Sequence, residues 1–333
     1  MKRKIAIIAG GDSSEHEVSL RSAAGIYSFM DKERYDITIV VLKGTEWTAI
    51  PQHSEFSIQN SDSYPIDKND FSFTRGGVKH TFDFAYITIH GTPGENGILQ
   101  GYLDMIGMPY SCCGVLAAAL TFNKFACNHY LSYFGFHIAN SMLLRRQPSA
   151  VSYQPSEIAE TLGLPCFIKS NVGGSSFGCT KVKTVEEIYP AIERAFQEGD
   201  EVICESFMKG TEVTCGVYKT KTKAVAFPIT EVVTHNEFFD YNAKYKGEVD
   251  EITPARIPDA IRDKIQAETL RLYDIIGANG IIRVDWIIIS DQINLLEVNT
   301  TPGMTPTSFI PQQVRAAGLD IKDVLTDIIE NKF

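Results

Sequence analysis

Residues 281–308 read IIRVDWIIISDQINLLEVNTTPGMTPTS, and this stretch indicates how the chain folds. Two apolar, β-branched runs flank the polar turn Ser290-Asp291-Gln292, a pattern typical of a β-hairpin with a three-residue loop. If the strands pair symmetrically about the middle of that turn, Asp285 lies opposite Glu297. Both side chains then lie on one face, because the side chains of a strand point to alternate faces.

The same register places Arg283 opposite Asn299, on the face that carries the two acids. Two carboxylates directly opposite each other on a sheet repel, so the arrangement requires a cation between them. Hard oxygen ligands of this kind suit Mg²⁺ shared with a phosphate better than zinc or copper. The hairpin therefore predicts a platform for a metal and a nucleotide. The alternative is a surface hairpin whose acids point into water.

Length, charge and cysteine content limit the function. A chain of 333 residues exceeds what one compact core usually holds, so we expect two or three domains. The net charge of −10 argues against nucleic acid or an anionic membrane as the main partner, because both require a basic face. The opening apolar run is too short for a signal peptide, and no run reaches the length of a membrane span. The seven cysteines lack metal-type spacing, which predicts reduced thiols in the cytoplasm.

The pattern of strands and helices divides the chain into three predicted domains. Residues 1–113 read as an open parallel α/β domain, with strands over 4–9, 36–42 and 83–90 and helices over 19–30 and 98–105. Residues 114–205 are predicted to hold a helix over 117–134, strands over 166–169 and 201–205, and a helix over 185–198. Residues 206–333 carry strands between 212 and 233, a helix over 258–276 and the hairpin.

A glycine-rich turn, KSNVGGSSFG, runs from Lys169 to Gly178 directly after an apolar strand. Its glycines and serines let backbone amides approach phosphate oxygens, and Lys169 adds a point charge. The turn is not a P-loop, because no Gly-Lys-Ser/Thr closes it into a helix. The alternatives are an ordinary hairpin connection and a solvated edge lysine.

Two loops of the first domain carry ionisable residues. The segment Gly10–Glu17 lacks the spacing of a dinucleotide fingerprint, and Ser13 or Ser14 is placed to cap a helix. Glu15 can hold a substrate ammonium group or can simply complete the helix start. His90 follows the third strand at the carboxyl edge of the sheet, where open α/β sheets bind ligands; a structural role is its alternative.

Residues 236–245, NEFFDYNAKY, are aromatic yet polar and poorly periodic. This combination is typical of a lid over a binding site, and the alternative is a packed surface loop.

Together these segments resemble the ATP-grasp superfamily and, more closely, the D-alanine–D-alanine ligases of bacterial cell-wall synthesis. The resemblance covers essentially the whole chain. Its motifs are GGDSSEHEVSL at 10–20, HGTPGENGILQG at 90–101, GGSSFG at 173–178, DYNAKY at 240–245 and LLEVNTTPGMT at 295–305. Five such motifs in this order indicate the family more strongly than any one of them.

The resemblance implies a three-domain enzyme with ATP between the second and third domains and the amino acids in a cleft walled by the first. ATP would convert one D-alanine to an acyl phosphate, which the amine of a second D-alanine would attack. The products would be D-alanyl-D-alanine for peptidoglycan precursors, ADP and phosphate. The family resemblance also suggests a homodimer formed through the first domain.

The resemblance further implies a site, residue by residue. Two Mg²⁺ ions, for which Mn²⁺ can substitute, would be held by Asp285, Glu297 and Asn299. ATP would be bound by Lys124, Lys169, Glu205, Ser206, Phe207, Met208, Glu212 and Lys244. The catalytic residues would be Glu15, Ser175, Tyr245, Arg283 and Gly303. The substrate would also contact His90, Glu95 and Ser308.

Some of these residues have distinct implied roles. Residues 205–208 would hold adenine, and Glu15 would help bind the first alanine. Arg283 and the amide of Gly303 would stabilise the tetrahedral oxyanion, and Ser308 would bind the carboxylate of the second alanine.

Two other functions remain open from the sequence. One is a ligase for a different D-acceptor, such as D-serine or D-lactate. The other is a regulatory protein that binds ATP without catalysis, against which the retained Asp285, Glu297, Asn299, Arg283 and Lys169 argue.

Overall fold

The computed structural model describes residues 2–51, 62–146, 154–174, 178–234 and 249–333, whose strands form three sheets. The predicted α/β fold is confirmed. Within these ranges no helix combines the length and the apolar character that a membrane span requires. The predicted lid lies outside the described ranges, as do three predicted site residues: Ser175, Lys244 and Tyr245.

The first sheet is open and contains seven strands. They are β1 (Arg3–Gly10), β2 (Tyr35–Lys43), β3 (Glu46–Pro51), β4 (Tyr64–Asp67), β5 (Ser72–Arg75), β6 (Val78–His80) and β7 (Phe84–Ile87), in the order β6-β5-β4-β3-β2-β1-β7. Strand β1 pairs in parallel with both β2 and β7, so three carboxyl ends meet at one edge. The third predicted strand ends at Ile87 rather than at residue 90, which leaves His90 in the loop beyond that edge.

The first domain also contains α1 (His16–Phe29) and α2 (Ile98–Met105). The prediction that Ser13 or Ser14 caps α1 is wrong, because Glu15 is the capping residue and makes no side-chain cap bond. The Ser13 hydroxyl instead donates to the backbone oxygen of His90 at 2.7 Å. This bond joins the loop after β1 to the loop after β7.

The second sheet is antiparallel and has four strands. They are β8 (Ser141–Arg145), β9 (Cys166–Ser170), β10 (Thr180–Val182) and β11 (Glu201–Ser206), in the order β10-β9-β11-β8. Two helices, α5 (Pro155–Leu162) and α6 (Val185–Ala195), pack on it through a small apolar core.

The prediction of one helix over residues 117–134 is wrong. The chain forms α3 (Val115–Phe122) and α4 (Lys124–Tyr133), separated by Asn123 in an extended conformation. The Asn123 side chain accepts a hydrogen bond from the amide of Ala126 at 2.9 Å and so caps α4. Because of this break, α4 begins with Lys124 beside the glycine-rich turn.

The third sheet carries the hairpin. Its strands are β12 (Thr211–Lys219), β13 (Ala224–Ala226), β14 (Thr230–Thr234), β15 (Val249–Ile252), β16 (Ile281–Ile289) and β17 (Gln292–Asn299), in the order β15-β14-β12-β16-β17 with β13 beside β12. The remaining helices are α7 (Asp259–Ile275), α8 (Phe309–Ala316) and α9 (Ile321–Glu330). An apolar core joins residues of α8 and α9 to the first sheet and α1.

The hairpin keeps the predicted register at the site, although its loop is shorter than predicted. The loop holds two residues, Ser290 and Asp291, so the prediction of three is wrong. A β-bulge adds Leu296 to β17 without a partner on β16. The shorter loop and the bulge cancel, and the predicted pairing of Asp285 with Glu297 is confirmed.

A fully buried glutamine fixes α8 to the third sheet. The Gln313 side chain accepts from the amide of Gly216 at 2.9 Å and donates to the Thr214 carbonyl at 3.0 Å and to the Thr230 hydroxyl at 3.1 Å. A Cβ atom at Gly216 would lie 2.7 Å from the Gln313 side-chain oxygen, so only glycine allows this approach.

We expect Gln313→Leu to lower the free energy of unfolding by about 3 kcal/mol, because it leaves buried polar groups without partners. Urea unfolding followed by circular dichroism measures the change. Gln197→Leu is the matched control, since Gln197 is exposed. Equal stability of the two variants would contradict the proposed importance of this buried contact.

Candidate active site

Two adjoining cavities lie along the hairpin. The first has a volume of about 420 Å³ and lies between the second and third sheets. The second has a volume of about 370 Å³ and lies between the carboxyl edge of the first sheet and the third sheet. Both are lined by Gly174 of the glycine-rich turn and by Glu297 of the hairpin. Molecules bound in the two cavities would therefore meet at these two residues.

The first cavity brings together the residues predicted to surround the base and ribose. The end of β11, the loop after it and β12 contribute Glu205, Ser206, Phe207, Met208 and Glu212. The Phe207 ring centroid lies 5.9 Å from that of Phe167, and the Lys181 ammonium lies 4.1 Å from the Phe207 centroid. This wall offers a flat apolar surface of the kind that a planar base requires.

Two predicted phosphate ligands, Lys124 and Lys169, also line this cavity. The Lys169 ammonium lies 2.6 Å from a carboxylate oxygen of Glu205, which is buried, while Lys169 is partly buried. Burial lowers the pKa of Lys169, but the charges of Glu205, Cys179 and Glu297 together outweigh it, so the pKa lies above its ordinary value and the lysine stays charged. The Lys124 ammonium donates to the Gly173 carbonyl at 2.6 Å, and burial lowers its pKa, against the opposing charge of Glu297.

A buried polar network holds Lys124 against the glycine-rich turn. The Asn171 side chain accepts from the amide of Phe125 at 2.8 Å, and its backbone oxygen accepts from the amide of Lys124 at 3.0 Å. Its side-chain nitrogen donates to Glu201 at 2.7 Å. The same Glu201 carboxylate accepts from Asn123 at 3.2 Å and pairs with Arg145 at 2.8 Å. These hydrogen bonds thus join the start of α4 to the turn.

The hairpin face is confirmed as a cluster of charged groups. Arg283 donates to both carboxylate oxygens of Asp285, each at 2.8 Å, and lies 4.0 Å from Glu297. Asp285 also accepts from the Thr214 hydroxyl at 2.6 Å and from the Asn299 amide at 3.2 Å. The cation that the two acids require is therefore the guanidinium group. Burial lowers the pKa of Arg283, but Asp285 outweighs it, so the pKa lies above its ordinary value.

The oxygen atoms of the hairpin face also fit a magnesium ion that is shared with phosphates. Asp285 and Glu297 supply carboxylate oxygens, and Asn299 supplies an amide oxygen. Among the described residues no group of three or more His, Cys, Asp or Glu side chains is arranged to hold a metal ion alone. A metal here would therefore need further oxygen ligands, which the phosphates of a nucleotide in the first cavity could supply.

The second cavity brings together the residues predicted to contact the substrate. Glu15, His90 and Glu95 approach it from the loops at the carboxyl edge of the first sheet, and Arg283 and Ser308 line the opposite side. The His90 ring contacts the Ser22 hydroxyl at 3.1 Å, and its side chain is buried. The cavity is also lined by Arg21, Glu251 and Glu297, so it combines carboxylates with two guanidinium groups.

The glycine-rich turn contacts the second cavity directly. A Cβ atom at Gly174 would lie 2.6 Å from a carboxylate oxygen of Glu15, so the turn lies directly against this side chain. On the far side, a Cβ atom at Gly303 would lie 3.0 Å from the Ser308 hydroxyl. That hydroxyl also accepts from the amide of Thr305 at 3.1 Å.

Sequence reasoning missed four residues of this region: Asn171, Glu201, Thr214 and Glu251. Asn171 and Thr214 hold the predicted site residues Lys124 and Asp285 through hydrogen bonds, Glu201 holds Asn171, and Glu251 lines the second cavity. Asn171 lies within the glycine-rich turn and could have been weighed as its anchor. The other three lie on strands with no local pattern that marks them, because their partners are distant in sequence.

Glu95 lies in an environment that disfavours its charge. Burial raises the pKa of Glu95 above its ordinary value of 4.5, and the Glu15 carboxylate raises it further. The charge of His90 and hydrogen bonds from Thr301 and Gly91 act against this rise. Because the folded protein holds this proton more tightly than the unfolded chain, stability falls as the pH rises from 4.5 through the raised pKa.

We therefore expect Glu95→Gln to be more stable than the wild type at pH 7, and we expect the difference to shrink as the pH falls through the raised pKa toward 4.5. Urea unfolding at several pH values measures it. Glu33→Gln removes an exposed carboxylate and serves as the control. A stability gain that does not depend on pH would contradict the assignment.

Comparisons with known proteins identify the family of this chain. Residues 4–113 match the family model described as D-ala D-ala ligase N-terminus, and residues 131–330 match D-ala D-ala ligase C-terminus. The chain is 65% identical to a D-alanine–D-alanine ligase of Bacteroides fragilis and 62% identical to one of Phocaeicola vulgatus, with full coverage of both chains in each case.

Solved structures agree with the family models. The VanG D-Ala:D-Ser ligase of Enterococcus faecalis has a TM-score of 0.86 at 30% identity, with full coverage of both chains. The D-alanyl-alanine synthetase A of Vibrio cholerae has a TM-score of 0.85 at 28% identity, covering 99% of this chain and 98% of that one. On these grounds the chain belongs to the D-alanine–D-alanine ligase family, which has the ATP-grasp fold.

Proposed function

We propose that this protein joins two D-alanine molecules to D-alanyl-D-alanine with consumption of ATP, and so supplies peptidoglycan precursors. The observation that carries the proposal is the junction of the two cavities at Gly174 and Glu297. A nucleotide in the first cavity would place its terminal phosphate at that junction. The carboxylate of an amino acid in the second cavity would reach the same point.

The arrangement of charges supports an acyl phosphate route. A carboxylate is a poor electrophile, so it must first be phosphorylated before an amine can displace its oxygen. Lys124 and Lys169 place positive charge on the phosphate side of the junction. Mg²⁺, when bound by Asp285, Glu297 and Asn299, would neutralise charge on the phosphates. The amine of the second D-alanine would then attack the acyl carbon and release phosphate.

Arg283 is the proposed stabiliser of the oxyanion that forms during this attack. It lines the second cavity, whereas Asp285 beside it lines the first. A fixed guanidinium at the position where charge develops contributes about 3 kcal/mol in comparable sites. The amide of Gly303 is proposed as a second donor, and Ser308 as the group that binds the acceptor carboxylate.

D-Serine is the second candidate for the acceptor, because one of the matched structures is a D-Ala:D-Ser ligase. The test of both candidates is phosphate release from Mg-ATP with D-alanine, D-serine and D-lactate, each alone and each mixed with D-alanine. Mass spectrometry identifies the products. D-Alanyl-D-alanine as the main product supports the proposal. ATP binding without D-alanine-dependent phosphate release would instead favour a binding protein.

We further propose that the metal is Mg²⁺ and that Glu297 ligates it. We expect Glu297→Ala to lower turnover by about a thousandfold, because charge on the transferred phosphate is no longer neutralised. It should also weaken Mn²⁺ binding in the presence of ATP, measured by electron paramagnetic resonance. Glu193→Ala, an exposed carboxylate on α6, is the control. Near-normal activity and Mn²⁺ binding of Glu297→Ala would remove the metal assignment.

The cytoplasm is the proposed location. All seven cysteines are free thiols, which is the usual state in a reducing compartment.

We also propose a homodimer formed through the first domain. Two large apolar side chains on α2 of the predicted first domain, Ile98 and Met105, are 62% and 88% exposed, and Leu116 on α3, where the predicted second domain begins, is 79% exposed. The two helices pack closely, since a Cβ atom at Gly97 would lie 2.8 Å from the Val115 carbonyl. A second copy of the chain could cover this face.

Light scattering tests the dimer. We expect a mass of twice 37.0 kDa for the wild type and of 37.0 kDa for Leu116→Glu, because a buried unpaired carboxylate opposes association. Tyr189→Glu changes an exposed aromatic residue on α6 and should leave the dimer intact. A monomeric wild type would contradict the proposal.

A further inference from the structure

Glu251 is a carboxylate of the second cavity that the proposed reaction does not yet use. It lies on β15 opposite Val232 of β14, which in turn lies opposite Glu212 of β12. Laterally paired residues share a face, so Glu251 points to the same side of the third sheet as Glu212. It lines the second cavity together with Arg283 and Ser308.

A glutamine fixes the position of this carboxylate. The Gln312 side-chain nitrogen donates to a carboxylate oxygen of Glu251 and, at 2.7 Å, to the Thr307 carbonyl. Gln312 lies in the first turn of α8, and Thr307 precedes Ser308, the residue before that helix. Glu251 is therefore held beside the segment proposed to bind the acceptor carboxylate.

The environment of Glu251 favours a cationic ligand. Burial raises its pKa, while the Gln312 amide and the charge of Arg283 act in the opposite direction. Within the described ranges its hydrogen-bond partner is the neutral Gln312, whereas Arg283 makes its bonds to Asp285. A partly buried carboxylate with a neutral partner gains free energy when a cation joins it.

We propose that Glu251 binds the ammonium group of the acceptor amino acid, an inference that rests on the proposed function. An amino acid carries its carboxylate and its ammonium group on one carbon. Ser308 and the start of α8 would take the carboxylate, while Glu251 takes the ammonium group. A zwitterionic acceptor is then held at both ends, and an acceptor without a cationic group loses one of the two contacts.

Trapping of the acyl phosphate with hydroxylamine distinguishes binding of the acceptor from formation of the acyl phosphate, which is the first half of the proposed reaction. Hydroxylamine is a small neutral nucleophile, and its nitrogen attacks the acyl carbon of the acyl phosphate to give D-alanyl hydroxamate and phosphate. We expect Glu251→Gln to form hydroxamate at a rate within about twofold of the wild type. At low D-alanine concentration its dipeptide yield should fall about tenfold or more, because the ammonium contact is lost. Glu251→Asp should recover part of the yield, and a higher D-alanine concentration should restore it.

Asp250→Asn is the matched control, because Asp250 is the exposed neighbour of Glu251 and points to the other face of β15. Thermal unfolding of each variant checks the fold. An equal loss of hydroxamate and dipeptide in Glu251→Gln would overturn the proposal in favour of a role in holding Arg283. An unchanged product ratio would overturn it as well. Absence of both products from the wild type would overturn the proposed function itself, and this inference with it.

Discussion

The compensation of buried charge on the hairpin face is the constraint on which the site depends. Asp285 is 6% exposed, and an isolated carboxylate at that depth would be costly. Arg283 occupies both of its oxygens, and Thr214 and Asn299 complete its hydrogen bonds. A cation is thus a structural requirement of the face before any ligand binds. A metal ion shared with phosphates would meet the same requirement. Arg283 would then be available to stabilise the oxyanion.

Each of the two cavities offers charged side chains to its proposed ligand. The first gathers lysines, of which Lys169 is paired with Glu205 and Lys124 contacts a backbone carbonyl. Among the described residues no carboxylate lies within salt-bridge distance of Lys124. Its charge is therefore suited to a phosphate. The second gathers carboxylates such as Glu15 and Glu95, which suit the ammonium group of an amino acid. The first cavity also contains Glu205, Glu212 and Glu231, and the second also contains Arg21 and Arg283, so both cavities carry charges of both signs.

The sequence predicted most of this arrangement where the relevant contacts are local. The periodicity of the hairpin predicted that Asp285 lies opposite Glu297. The structure has this pairing because the bulge offsets the loop that is one residue shorter than predicted. The apolar periodicity over 117–134 continues through Asn123, so it predicts one helix. The observed break depends on Asn123 as the capping residue of α4, and this single polar residue does not interrupt the periodicity. Asn171 with Glu201, and Glu251 with Gln312, could not be predicted. The first pair forms when β9 and β11 pair within the second sheet, and the second pair forms when α8 packs beside β15.

The close approach of the glycine-rich turn to Glu15 determines where the two half-sites meet. Strand β9 leads into the turn, and Asn171 locks the turn to α4. The turn then passes over the first sheet's edge, where a Cβ atom at Gly174 would lie 2.6 Å from the Glu15 carboxylate. A larger residue at this position would require the Glu15 side chain to shift. Phosphoryl transfer requires its reacting atoms about 3 Å apart, and the close approach of the turn to Glu15 brings the phosphate side and the substrate side of the proposed site together.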